Sequence, residues 1–136
     1  MTQASPAIAA ALARWHQCVA DRDMTTLRDI LADDVRFHSP FLWKPKEGKD
    51  AAMMILSNVV QVFEDFKYHR EMTDGTTWTL EFSARVGELA LKGVDIIRFT
   101  EDGRIADFEV MIRPANALQA LGAEMGRRLA AQAEGN

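Results

Sequence analysis

Apolar residues recur with two different periods along the chain, and the switch between them divides it. Ile8, Leu12, Trp15 and Val19 follow one another at spacings of four, three and four, which makes one helical stripe. Ser5 or Pro6 opens this helix, and Asp21 to Asp23 breaks it. Asp23 can cap a short second helix carrying Leu27, Ile30 and Leu31. Ala32-Asp33-Asp34 then turns into a strand over Val35 to Ser39, and Pro40 to Gly48, with Pro40 and Pro45, reads as a loop. A third helix is expected from Lys49 or Asp50 to about Phe63. Met53, Leu56, Val60 and Phe63 form its stripe, and Met54, Ile55, Val59 and Val62 widen it. Only Asp50, Ser57, Asn58 and Gln61 keep a polar face, so the helix should be deeply buried against a sheet.

Beyond Phe66 the period falls to two. Phe66 to Met72 is a strand closed by Asp74-Gly75. In Thr77 to Val86, the residues Trp78, Leu80, Phe82, Ala84 and Val86 alternate with Thr77, Thr79, Glu81, Ser83 and Arg85. Gly87-Glu88 makes a tight hairpin into Leu89 to Thr100, and Glu101-Asp102-Gly103 turns that strand into Arg104 to Arg113. Pro114 stops the last strand. Leu118, Leu121, Met125 and Leu129 mark a final amphipathic helix. Helices, then strands, then one helix is the order of an α+β fold. No repeat or linker interrupts it, so residues 1–136 read as a single domain.

Two strands are apolar on both faces. Leu89, Leu91, Ile97 and Phe99 back onto Val94 and Ile96, while Phe108, Val110 and Ile112 back onto Met111. A sheet wet on one side would be polar at Val94, Ile96 and Met111. Either the C-terminal helix or a second copy of the chain is therefore expected to cover that face.

Composition narrows the functional classes. The chain holds 16 basic and 20 acidic residues, a formal charge of -4, which argues against general nucleic-acid binding. No apolar run reaches the ~18 residues of a membrane span, and the alanine-rich start lacks a basic n-region. The one cysteine, Cys18, rules out an internal disulfide. A cytoplasmic protein is expected. His16, His38 and His69 have no metal-ligand spacing, and neither a phosphate loop nor a dinucleotide fingerprint is present, so no metal or cofactor is expected.

The string Ala32-Asp33-Asp34-Val35-Arg36-Phe37-His38-Ser39-Pro40, together with Val94-Asp95-Ile96-Ile97-Arg98-Phe99 and then Asp102-Gly103-Arg104-Ile105, resembles the SnoaL-like branch of the nuclear transport factor 2-like superfamily. The resemblance runs from about Ile8 to Leu129. It implies a cone: a curved antiparallel sheet wrapped around helices, open at one end on an apolar pocket and often dimeric through the sheet. Members include steroid isomerases, polyketide cyclases, dehydratases and epoxide hydrolases, so the fold alone names no reaction. Against the steroid-isomerase pattern, the first-helix tyrosine is matched here by Trp15. The base aspartate before proline is matched by Ser39, and the hydrogen-bond-donating aspartate by Asp95. A serine cannot serve as a carboxylate base, so isomerisation by that mechanism is not expected. The epoxide-hydrolase arrangement needs an inward arginine that the last three strands do not offer.

Asp95 is the candidate catalytic residue. Alternation sets it on the face of Leu91, Ile97 and Phe99, where burial should raise its pKa and suit it to acid–base work. Trp15 is its natural hydrogen-bond partner. Of Tyr68 and His69, only one can face inward, and the sequence leaves open which. The expected pocket comprises Trp15, Phe37, Ser39, Trp78, Leu80, Phe82, Ile97, Phe108 and Val110 around Asp95, with Trp43 in a loop over its mouth. The expected ligand is a small apolar or amphipathic metabolite. The chemistry would be cofactor-free isomerisation, cyclisation or dehydration. The alternative is a non-catalytic binding or interaction module, and the expected partner is a second copy joined through Val94, Ile96 and Met111.

Overall fold

A computed structural model describes residues 3–134. Helix α1 spans Pro6–Asp21, with the Ser5 hydroxyl accepting the Ile8 N–H at 3.3 Å and Pro6 in the first turn, where no N–H is needed. Arg22 ends it in the left-handed region, at φ 52°. Asp23 caps α2 (Met24–Ile30) by accepting the Thr26 N–H at 3.1 Å. Strand β1 (Leu31–His38) follows, starting four residues earlier than the apolar pattern suggests, and the two-residue strand β2 (Lys46–Glu47) lies within the expected loop. Helix α3 covers Lys49–Val62. Strands β3 (Glu64–Thr73), β4 (Thr77–Val86), β5 (Leu89–Phe99) and β6 (Ile105–Arg113) lead to α4 (Ala115–Glu134).

The six strands form one curved, open sheet in the order β2-β1-β6-β5-β4-β3. It is antiparallel except at one pairing: β1 and β6 run parallel, with Phe37 opposite Phe108. The expected curved antiparallel sheet thus carries one parallel pairing. Helix α3 takes the chain from β1 to the far edge of the sheet, and three reversals later β6 comes back beside β1, pointing the same way.

Register aligns the inward side chains in rows. Phe37, Phe108, Ile97 and Trp78 are cross-strand partners in one row, and Val110, Asp95 and Leu80 in the next. Gly93 stands between Phe82 and Ile112 in a third row. A Cβ at Gly93 would lie 2.5 Å from the Phe82 ring and 2.6 Å from the Met111 carbonyl, so only glycine fits.

All the helices that bury apolar residues do so on this concave face. Ala117, Leu121 and Met125 of α4 pack with Phe82, Ala84 and Leu91, which face inward. The C-terminal helix therefore does not cover Val94, Ile96 and Met111; Met111 is 50% exposed. Asn58 also departs from the pattern. It is buried, and its amide exchanges hydrogen bonds of 3.2 and 2.9 Å with Gln132, tying α3 to α4. Among the described residues no helix is long and apolar enough to cross a membrane.

Candidate functional site

The concave face and its helices enclose a cavity of about 380 Å³. Trp15 and Val19 of α1 form one wall, Ile55 and Val59 of α3 with Phe63 just beyond its end another, and Leu121, Met125 and Leu129 of α4 a third. Phe108, Val110 and Ile112 supply the sheet side. The lining is mostly apolar, as expected of a small-molecule site.

One polar chain crosses this lining. The Trp15 indole N–H donates to the Tyr68 hydroxyl at 2.9 Å, and that hydroxyl donates to Asp95 Oδ2 at 2.6 Å. Trp15 thus reaches Asp95 through Tyr68 and not directly, a correction to the expected contact. Asp95 is 6% exposed and lines the cavity. Among the described residues Tyr68 is its one side-chain donor, which leaves Oδ1 for whatever occupies the cavity.

Burial sets the electrostatics. Desolvation pushes the Asp95 carboxyl from its usual 3.8 up to about 7, against the opposing pull of the Tyr68 hydrogen bond. The Tyr68 hydroxyl is raised well above its usual 10, first by burial and then by the charge of Asp95 beside it. Near neutral pH, Asp95 can therefore hold or release a proton, while Tyr68 stays protonated and orients it.

Six of the ten residues expected at the site line the cavity: Trp15, Phe37, Ser39, Asp95, Phe108 and Val110. Trp78, Leu80, Phe82 and Ile97 do not, although they share the concave face. Leu80 and Ile97 have no exposed surface and pack under α1 among Trp15, Phe99 and Ile105, with Trp78 against the same cluster. Phe82 lies beneath Phe63 and Phe66, which occupy the cavity wall in its place. Ser39 accepts the N–H groups of Phe41 and Leu42 at 3.3 and 3.2 Å, so its own hydroxyl proton remains to be donated. Trp43 does not line the cavity; it is 99% exposed.

Tyr68 is the residue that alternation alone leaves undecided. It pairs with the inward Phe82, while His69 turns outward to the Ser83 hydroxyl at 2.7 Å. His38 also faces outward and meets Asp107 at 2.7 Å. Lys46, from the loop expected over the mouth, lines it; Arg22 and Asp65 also line it without being expected there, since surface charges in turns carry no pattern that marks a pocket. Cys18 is buried, its thiol pushed up to about 11 by desolvation. Among the described residues no three His, Cys, Asp or Glu side chains are grouped to hold a metal ion.

Residues 12–108 match the model of the SnoaL-like domain. A solved structure of a steroid delta-isomerase from Pseudomonas aeruginosa is 52% identical, with a TM-score of 0.94 over 98% of this chain and 99% of that one. An uncharacterised protein with a cystatin-like fold from Silicibacter pomeroyi is 40% identical, with a TM-score of 0.88 over 95% and 92% of the two chains. An NTF2-like protein of unknown function from Burkholderia xenovorans, 21% identical with a TM-score of 0.66 over 82% and 91%, shares the fold. No curated protein matches the chain.

Proposed function

This chain belongs to the SnoaL-like domain family, and on that footing we propose that it binds a small apolar or amphipathic molecule in its cavity and exchanges a proton with it at Asp95. The observation that carries the reading is the hydrogen-bonded chain from Trp15 through Tyr68 to Asp95, set in a cavity with an otherwise apolar interior. Oδ1 of the ionised carboxylate accepts a proton from the bound molecule, and Tyr68 holds Oδ2 in place as the charge on Asp95 disappears. In the reverse direction the protonated carboxyl donates. A group that titrates near neutrality serves both directions. The Ser39 hydroxyl also lines the cavity and can donate to a ligand oxygen.

The reaction class is isomerisation, cyclisation or dehydration without a cofactor. The likeness to a steroid delta-isomerase supports chemistry of the isomerase type. Ser39, standing where the steroid-isomerase pattern has its base, argues for one carboxylate doing the proton transfer alone. A second copy of the chain is proposed to cover Val94, Ile96 and Met111 on the convex face.

The test begins with native mass spectrometry of the purified protein to identify a bound small molecule. That molecule is then incubated with protein in heavy water. Wild type should wash solvent deuterium into it, and Asp95→Asn should slow the exchange by about 100-fold or more. Binding without exchange in the wild type would make the protein a non-catalytic binding module.

A further inference from the structure

The mouth of the cavity carries positive charge that the interior lacks. Arg22 and Lys46 both line the cavity, and both are exposed, so they stand where it opens to water. Lys46 is placed by register: it pairs with Phe37, whose side chain points into the cavity, and residues directly opposite in a strand pair share a face. Arg22 is placed by the left-handed turn that ends α1, one to two helical turns beyond Trp15 and Val19 on the same wall.

Three other cations are matched. Lys49 meets Asp33 at 3.3 Å, Arg28 meets Asp50 at 2.9 Å, and Arg85 meets Asp65, the one acidic residue at the mouth, at 2.8 Å. Arg22 and Lys46 have no ion pair or side-chain hydrogen bond among the described residues. In a protein of net charge -4, the entrance is thus left with two unmatched positive charges.

We propose that the ligand is an amphipathic carboxylate, its apolar body in the cavity, its carboxylate held at the mouth by Arg22 and Lys46, and its far end against Tyr68 and Asp95. This rests on the cavity being the ligand site. The reverse orientation would bring the ligand's carboxylate beside Asp95 in a water-poor interior, where two negative charges repel strongly. It would also leave the apolar end in water between two cations. The orientation fixes where chemistry falls. Seven residues separate Trp15 from Arg22, and at the helical rise that is about 10 Å. The reacting carbon is therefore remote from the carboxylate, not adjacent to it.

Calorimetry with decanoate, decanol and decylamine tests this on the intact protein. Decanoate should bind wild type about 10-fold more tightly than decanol at low salt, with decylamine weakest, and added salt should narrow the gap. Lys46→Gln should reduce the preference for decanoate, and Lys46→Gln with Arg22→Gln should abolish it, bringing decanoate affinity down to that of decanol. Lys46→Gln alone suffices if the Arg22 change disturbs the helix end. Equal binding of decanoate and decanol by wild type would overturn the anionic assignment and leave the cavity as a ligand site. Failure of all three probes to bind would overturn the cavity reading as well.

Discussion

Replacing Asp95 with asparagine keeps the shape of the side chain and a carbonyl oxygen for the Tyr68 hydroxyl, but removes the charge. Burial pushes the Asp95 carboxyl from 3.8 to about 7 in the folded protein. Below pH 3.8 the group is protonated in both the folded and the unfolded chain, and its ionisation has no effect on stability. As pH rises further, the unfolded chain gives up its proton while the folded one keeps it, so stability falls by about 1.4 kcal/mol per pH unit. The fall levels off above about 7, where the folded carboxyl also ionises. The accumulated penalty is on the order of 4 kcal/mol, with the Tyr68 hydrogen bond already counted in the titration. Asp95→Asn should therefore match wild type within about 1 kcal/mol at low pH and exceed it by several kcal/mol once the pH passes neutrality. Urea denaturation of both proteins across that range gives the difference directly, and carbon-detected NMR titration of the Asp95 carboxyl gives its pKa. A stability difference independent of pH, or a variant less stable than wild type above neutrality, would refute the desolvation argument. Asp95 would then be a satisfied structural carboxylate, unsuited to the proposed proton transfer.

Tyr68→Phe removes the hydrogen bond that lowers the Asp95 pKa and strands the Trp15 indole N–H. It should cost about 1–3 kcal/mol in denaturation and move the Asp95 titration still higher by NMR. A standard unsaturated ketosteroid should not be isomerised through Ser39; robust turnover that Ser39→Ala abolishes would show a base where the sequence has none. Ile96→Lys with Met111→Lys should convert a dimer into monomers or aggregates in analytical ultracentrifugation, and a wild type already monomeric at micromolar concentration would sink the convex-face assignment. Gly93→Ala drives a methyl into the Phe82 ring and the Met111 carbonyl, so it should lower stability by about 1–3 kcal/mol or more in thermal denaturation.

Alternation of apolar and polar residues makes the concave face of β4, β5 and β6 legible in the sequence, and with it the inward position of Asp95. It does not resolve Tyr68 from His69. Both are aromatic with a polar atom, and β3 slips register against β4 between Glu64 and Lys67 and again between Tyr68 and Glu71, so counting by twos along it fails. Asn58 escapes the pattern for a different reason. A polar residue on an apolar helix reads as solvent-facing, and the Gln132 that satisfies it is 74 residues away.

A shared face is not a shared pocket. Trp78, Leu80 and Ile97 have the same inward alternation as Asp95, yet α1 lies over them and fills the space with Trp15 and its neighbours. The open part of the face begins where α1 gives way to α3 and α4, and no periodicity within the strands marks that line. Amphipathicity shows that α4 has one apolar side without showing which side of the sheet meets it. Its landing on Phe82, Ala84 and Leu91 therefore decides two things together: it places Leu121, Met125 and Leu129 in the cavity wall, and it leaves Val94, Ile96 and Met111 with no helix over them. The enclosed site and the bare outer face thus have one cause, and a variant that loosens α4 should open the cavity without covering the strip behind it.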